Sequence, residues 1–325
     1  MKILITGGSG FIGRHLIVSM AKKGAHVRVL TRRHNSGNEF GNIVVEPIRG
    51  DLANRDSLRR AVDGVDIVYH LAAQIGKWGV PEERYYASNV RGTRNLLDAC
   101  LQSSVGQFVF CSTPGVQGKG HVRAQECLPY NPPYIYERTK CEAEKLVLKF
   151  HRDHRLPVTI LRPDFVYGPG DLRRLPLYRA VKNGKFFIIG NGKSFLHPTY
   201  IDDVIQGFHL VAGNPVAFGR IFNIGGPHLV TVGEYVGSIA RSLDVPNPRM
   251  KIPAALALAT AAGCEALSRI TGREPYITRS KIEFLTKSHG TDISNAQTEL
   301  GYRPGYALQE GLRRTIDWYR DHRLL

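Results

Sequence analysis

A short apolar run, Lys2-Ile3-Leu4-Ile5, leads directly into Thr6-Gly7-Gly8-Ser9-Gly10-Phe11-Ile12-Gly13. Apolar residues then recur four apart at Ile12, Leu16 and Met20, the spacing of one helical face. Strand, glycine loop and helix in that order constrain this chain more than any other feature. In such a loop one glycine permits the tight turn, one lets a pyrophosphate approach the backbone, and one allows close helix–strand packing. The helix start adds free N–H groups and a partial positive charge. The loop therefore predicts a dinucleotide site, and its strand–loop–helix context separates it from an ordinary glycine-rich turn.

The same alternation continues downstream. Strands are predicted at 27–30, 43–47, 67–70, 108–111 and 156–161, and helices at 13–23, 56–62, 89–101 and 136–154. Strands alternating with helices predict an α/β fold, a Rossmann-type doubly wound parallel sheet covered on both faces. After Arg162 the pattern is broken by Pro163, Gly168, Pro169, Gly170 and Pro176. This predicts a smaller C-terminal lobe over the carboxyl edge of the sheet. The expected division is a nucleotide-binding domain at 1–165, rejoined by 198–222, and a substrate lobe at 166–197 and 223–325. The 325 residues accommodate that division, at roughly 100–200 residues per domain.

Composition narrows the functional classes. Hydrophobic residues make up 42% and charged residues 22%, which supplies a packed core and excludes global disorder. The net charge of +16 favours an anionic partner without naming it. The five cysteines, Cys100, Cys111, Cys127, Cys141 and Cys264, contain no C-x-x-C pair. A disulfide scaffold and a zinc ribbon are not expected, no metal site is predicted, and a reducing cytoplasm fits best. The apolar N-terminal run is too short for a signal-peptide core. The apolar stretch 252–264 falls short of the ~20 residues of a membrane span. It reads as a buried or lobe-packing helix, with contact to a membrane surface as the alternative.

Chemistry is predicted at three places. The second strand ends Val29-Leu30-Thr31-Arg32-Arg33, where a site for NAD usually carries an acidic residue. An arginine there can pair with a 2′-phosphate, so the cofactor is expected to be NAD(P), with NADP favoured through Arg32. Tyr136 and Lys140 stand four apart on a predicted helix, hence on one face. An ammonium beside a phenol lowers its pKa, which would make Tyr136 a general acid/base. The pair Tyr178 and Lys182 has the same spacing and is assigned to the ordinary surface of the second lobe. The strand 108–111 is followed by Ser112 and Thr113, hydroxyls at a carboxyl edge where such sheets bind ligands.

Together these residues resemble the extended short-chain dehydrogenase/reductases, the NAD-dependent epimerase/dehydratase superfamily. The resemblance runs through Thr6–Gly13, Gly50-Asp51-Leu52, His70-Leu71-Ala72-Ala73, Asn89-Val90-x-Gly92-Thr93, the Tyr136–Lys140 segment and Arg162-Pro163…Val166-Tyr167-Gly168-Pro169-Gly170. It implies that Gly7, Gly10 and Gly13 line the pyrophosphate and that Phe11 and Ile12 offer backbone N–H groups. It places Asp51 and Leu52 beside the adenine, and Leu71, Ala72 and Ala73 beneath the cofactor. Asn89 would help to hold the cofactor, and Pro163 and Val166 would approach the nicotinamide. Thr113, Tyr136 and Lys140 match the family's catalytic hydroxyl, base and ribose-binding lysine. A homodimer through helices 89–101 and 136–154 is also implied. The chain departs from the pattern at Gln117, where such enzymes often carry a tyrosine.

For the substrate, the resemblance divides. Sugar-nucleotide enzymes of this type often place an arginine where this chain has Leu196. The second lobe is more similar to the 3β-hydroxysteroid dehydrogenase and sterol-4-carboxylate dehydrogenase branch, in Gly190-Asn191-Gly192-Lys193, Pro275-Tyr276-Ile277-Thr278-Arg279 and Leu300-Gly301-Tyr302-Arg303-Pro304. The expected activity is hydride transfer between a nicotinamide and a secondary alcohol or ketone, on a hydrophobic small-molecule substrate. The alternative is a nucleotide-sugar epimerase, dehydratase or reductase, with Arg173, Arg174 or Arg279 binding the diphosphate. A non-catalytic redox-sensing or RNA-binding relative is the third reading. The intact Tyr136–Lys140 pair speaks against it, and no nucleic-acid partner is expected.

Overall fold

A computed structural model describes residues 1–32 and 43–325. The leading unit is as the alternation predicts: β1 (Lys2–Thr6), α1 (Phe11–Lys22), β2 (His26–Thr31) and β3 (Glu46–Arg49). It continues through α2 (Arg55–Val62), β4 (Ile67–His70), α3 (Glu82–Tyr85), a π-helical turn at Tyr86–Arg91 and α4 (Gly92–Gln102). Then come β5 (Gln107–Cys111), a 3₁₀ turn at Pro114–Gln117, α5 (Ile135–His154) and β6 (Val158–Pro163). Four two-residue strands follow, β7 (Val166–Tyr167), β8 (Ile188–Ile189), β9 (Phe195–Leu196) and β10 (Thr199–Tyr200), with α6 (Leu175–Lys182) between the first two. After α7 (Ile201–Leu210), β11 (Arg220–Ile224) returns to the main sheet.

The sheet has seven strands in the order β11-β6-β5-β4-β1-β2-β3, and every pairing is parallel. The order reverses between β1 and β4, and the crevice at such a switch point is where doubly wound sheets take their ligand. Side chains alternate across the sheet. Ile3, Ile5, Val27 and Val29 are buried with Leu16, Ile17 and Met20 of α1. Leu4, Leu30, Val68, Phe108 and Phe110 are buried on the other face with Leu58, Leu96, Leu97, Ala143 and Val147.

Several expectations are corrected. The third strand begins at Glu46 rather than at residue 43. Its register is set by Arg28 opposite Glu46, whose carboxylate takes Arg28 Nε at 2.9 Å and His26 Nε2 at 2.6 Å. The helix predicted at 89–101 begins seven residues earlier in α3, and its first turns are wider than an α-helix at Tyr86–Arg91. Tyr178 is not on the surface of the second lobe. It is fully buried in α6, and its ring meets that of Tyr319 edge-on at 5.2 Å.

The remaining elements build over the carboxyl edge of the sheet: β12 (Val230–Thr231), α8 (Val232–Leu243), β13 (Lys251–Ile252), α9 (Ala254–Thr271), α10 (Arg279–Thr286), α11 (Ser294–Leu300) and α12 (Leu308–Asp321). A reciprocal cap starts α8: Thr231 Oγ1 accepts from Glu234 N–H, and the Glu234 carboxylate accepts from Thr231 N–H. The apolar stretch 252–264 lies mostly in α9, which packs by one face only. Ala257 and Ala261 are buried against Ile282 and Ile189, while Leu256 is exposed. Among the described residues no helix is long and apolar enough to cross a membrane.

Candidate active site

The glycine loop owes its shape to backbone crowding. Gly7 has a φ of +74°, and a Cβ there would lie 2.6 Å from Ala72 N. A Cβ on Gly13 would lie 2.3 Å from the Gly7 carbonyl oxygen. Neither contact is sterically possible, so α1 can approach the β1 and β4 ends only with glycine at both positions. The first turn of α1 has no side-chain cap and no acidic residue. That leaves the amides of Phe11, Ile12 and Gly13 outside the helix's own bonding, suited to a phosphate.

A buried chain of polar contacts fixes the floor opposite the loop. Thr6 Oγ1 meets His70 Nδ1 at 2.7 Å and accepts from Ala72 N–H at 3.2 Å. His70 Nε2 meets Thr93 Oγ1 at 2.9 Å. Burial pushes the His70 pKa down to about 3, with the Lys140 charge adding, so the ring is neutral and serves as a fixed spacer. The segment Leu71-Ala72-Ala73 is thereby held at the cavity wall.

One cavity of about 1020 Å³ runs along this edge. Gly7, Gly10, Phe11, Ile12, Gly13, Arg32, Asp51, Leu52, Leu71, Ala72, Ala73, Thr113, Tyr136, Lys140, Pro163 and Val166 all line it. Of the predicted site residues only Asn89 lies outside the wall, and its role is corrected. Asn89 is buried in the π-turn. Its Oδ1 accepts from Gln74 N–H, and its Nδ2 donates to the Gln74 carbonyl and to Thr139 Oγ1. It positions the loop after β4 instead of touching the cavity. Arg33 lies outside the described residues; Arg32 is exposed at the end of β2.

Tyr136 and Lys140 are on one face of α5, but their electrostatics differ from the sequence expectation. Lys140 is buried, its Nζ donates to the Cys111 carbonyl at 2.7 Å, and it sits 3.8 Å from the Phe110 ring centroid. Burial lowers its pKa to about 8. The Tyr136 phenol is not lowered. Burial raises it well above the ordinary tyrosine value, with Cys111 and Glu137 adding and Arg173 opposing. The ammonium is spent on a carbonyl and a ring, so the phenol stays protonated.

The two hydroxyls after β5 have different partners. Thr113 Oγ1 accepts from Gly115 N–H at 3.2 Å, which leaves its own O–H free to donate onward. Ser112 Oγ is buried beside the cavity and has no hydrogen-bond partner among the described residues. Gln117, at the departure from the family pattern, is buried and donates to the carbonyls of Gln125, Glu126 and Leu128. It anchors the loop 125–128 at the cavity wall.

Two features on the far side of the cavity were missed from sequence. Asp164 is buried, lines the cavity and keeps one carboxylate oxygen without a hydrogen-bond partner among the described residues. Burial raises its pKa, and His197 Nδ1 is 3.9 Å away. Beside it Phe165, at φ +27°, stacks on Phe284 with centroids 5.3 Å apart. The one available signal was an acidic residue just after the predicted strand 156–161, in Arg162-Pro163-Asp164-Phe165. Leu196 is in the core and not at the wall. Of the arginines considered for a diphosphate, Arg173 lines the cavity, Arg174 lines it while paired with Asp171 at 3.0 Å, and Arg279 is held by Glu265.

Comparison with known proteins agrees with this geometry. Residues 3–225 match the model of the NAD dependent epimerase/dehydratase family. The chain belongs to that family. It is an enzyme of the extended short-chain dehydrogenase/reductase type. It is 33% identical to a 2-alkyl-3-oxoalkanoate reductase of Stenotrophomonas maltophilia, over 97% of this chain and 98% of that one. It is 31% identical to the 3beta-hydroxysteroid-dehydrogenase/decarboxylase isoform 1 of Arabidopsis thaliana, over 97% of this chain and 78% of that one. The fold matches a UDP-glucuronic acid 4-epimerase of Bacillus cereus in complex with NAD, with a TM-score of 0.79, 28% identity and 99% of each chain covered.

Proposed function

We propose that the protein moves a hydride between a nicotinamide cofactor and the carbon of a secondary alcohol or ketone. The observation that carries this reading is the continuous cavity from the glycine loop to Tyr136, Lys140, Ser112 and Thr113. The bound cofactor supplies the hydride donor or acceptor. Gly7, Gly10 and Gly13, with the amides of Phe11 and Ile12, hold its pyrophosphate; Asp51 and Leu52 flank the adenine, and Leu71, Ala72 and Ala73 lie beneath it. Pro163 and Val166 bound the nicotinamide end. Arg32 favours NADP by pairing with its 2′-phosphate. In Arg32→Ala the affinity ratio of NADP over NAD should fall by about tenfold. An unchanged ratio in a binding titration contradicts that assignment.

Tyr136 exchanges the proton of the reacting oxygen. The protonated phenol donates to a carbonyl oxygen, and its phenolate accepts the proton of an alcohol, so one group serves either direction. Lys140 binds the ribose, and turning its Nζ from the Cys111 carbonyl towards the phenol would let it stabilise the phenolate as the proton leaves. Thr113, accepting from Gly115, turns its own proton to the substrate oxygen, and Ser112 can join it. Residues 1–165 with 198–222 form the cofactor domain, which the return of β11 to the sheet supports. Residues 166–197 and 223–325 form the substrate lobe. A homodimer through the faces of α4 and α5 and a cytoplasmic location, in keeping with five free cysteines, complete the reading.

The substrate is a hydrophobic hydroxy or keto compound. The Phe165–Phe284 stack supplies an apolar wall to the cavity. A second reading, a nucleotide sugar, is favoured by Arg173 at the wall and by the UDP-sugar ligands of similar structures. Thermal stability in saturating NADPH, with UDP, dTDP, GDP or CDP added, separates the two. A ligand at 100 times its Kd adds roughly 2.7 kcal/mol. No shift with any nucleotide supports the hydrophobic substrate, and a clear shift with one of them replaces it with the nucleotide sugar.

A further inference from the structure

We propose that α9 docks the protein onto an anionic lipid bilayer surface. The helix is turned inside out relative to one that faces water. Its inner face carries a glutamate: Glu265 is buried, and its two oxygens accept from Arg279 N–H and Nε at 2.8 Å each. Ser268 is buried beside it. The outer face carries Leu256, Leu267 and Ile270, which are 59%, 60% and 83% exposed, and just beyond the helix Tyr276 is 96% exposed. Met250 extends the patch before the helix, and its carbonyl pairs with Ile188 N–H at 3.0 Å, bringing exposed Phe187 alongside. Apolar surface gathered in this way marks an interaction site rather than scattered exposure.

Charge selects the occupant. Residues 249–281 hold six arginines and lysines and two glutamates, and Glu265 is buried. Arg249, Lys251, Arg269, Arg273 and Lys281 are exposed around the apolar face. Leucine, isoleucine and tyrosine framed by basic side chains match the boundary between acyl chains and anionic headgroups. A second copy on the same face would set these cations against one another. No described helix is long and apolar enough to cross a bilayer, so the contact is interfacial. It also bears on the site, because α10 packs on α9 and carries Phe284 at the cavity wall. The docked face is the outer side of the substrate lobe.

The test is co-sedimentation of the full chain with phosphatidylcholine vesicles, with and without phosphatidylglycerol. Binding is expected to the anionic vesicles and to weaken as salt screens the headgroups. The triple variant Leu256→Ser/Leu267→Ser/Ile270→Ser should bind at least about tenfold more weakly. Val216→Ser, at an exposed position between α7 and β11, should bind as the parent does. All three altered side chains are exposed, and circular dichroism is the check that the variant is folded. Absence of binding, equal binding to neutral vesicles, or binding unaffected by the triple variant overturns the proposal. So does a dimer in light scattering that the triple variant dissociates, which would give the face to a second copy.

Discussion

Gly7 and Lys140 show how much a single position fixes here. Gly7 combines a positive φ with a Cβ direction that points into Ala72. Gly7→Ala should lower the unfolding free energy measured in urea by about 1–3 kcal/mol from backbone strain alone, and should weaken cofactor binding at least tenfold in a fluorescence titration. Lys140 carries a proton it holds poorly. Its pKa falls from the ordinary 10.5 to about 8 because burial penalises the ammonium. Between those values the unfolded chain binds more protons than the folded one, so the Lys140 contribution to stability rises with pH across that window. An amine-directed reagent in cofactor-free enzyme should label Lys140 with a midpoint near pH 8; a midpoint near 10.5 contradicts the buried setting. The helical spacing of Tyr136 and Lys140 was legible in the sequence. The diversion of the ammonium to Cys111 was not, because that carbonyl comes from another element 29 residues away. Asp164 was missed for a similar reason: an acidic residue two places after an arginine, at the end of a strand, looks solvated until the lobe that buries it is in place.

At the scale of elements, sequence periodicity located the parallel strands and their helices well, because each is amphipathic over its own length. It failed where a tertiary partner sets the boundary. The strand β3 is displaced by the Arg28–Glu46 pairing, and the widened turn before α4 follows from contacts of Asn89 with Gln74 and Thr139. The join between α5 and β6 is another such contact. Arg162, just before the wall residue Pro163, is buried and donates to both oxygens of buried Glu144 at 2.9 and 2.6 Å. Tyr130 donates to the same carboxylate at 2.9 Å. Glu144→Ala strands a buried guanidinium and should cost about 3–5 kcal/mol in chemical unfolding. A loss below about 1 kcal/mol would mean that water reaches Arg162 in the variant.

On the scale of the whole molecule, the glycine loop and the sheet order mark the parallel-sheet half, and short strands and helices make up most of the chain after Arg162. The first was legible because local pattern and global fold agree. The second was legible only as an absence of regularity, since strands of two residues carry no periodicity and are held by pairing with distant partners. The central claim joins the halves: Tyr136 passes a proton to an oxygen while the cofactor exchanges a hydride with the adjoining carbon. The most direct test compares the parent with Tyr136→Phe, following NADPH consumption with a panel of a 3-ketosteroid, a 2-alkyl-3-oxoalkanoate and a UDP-hexos-4-ulose. The account predicts turnover by the parent on at least one of them, a fall of about 10²–10⁴-fold in Tyr136→Phe, and cofactor affinity kept within a factor of about two. Turnover retained in Tyr136→Phe, with the cofactor still bound, contradicts it.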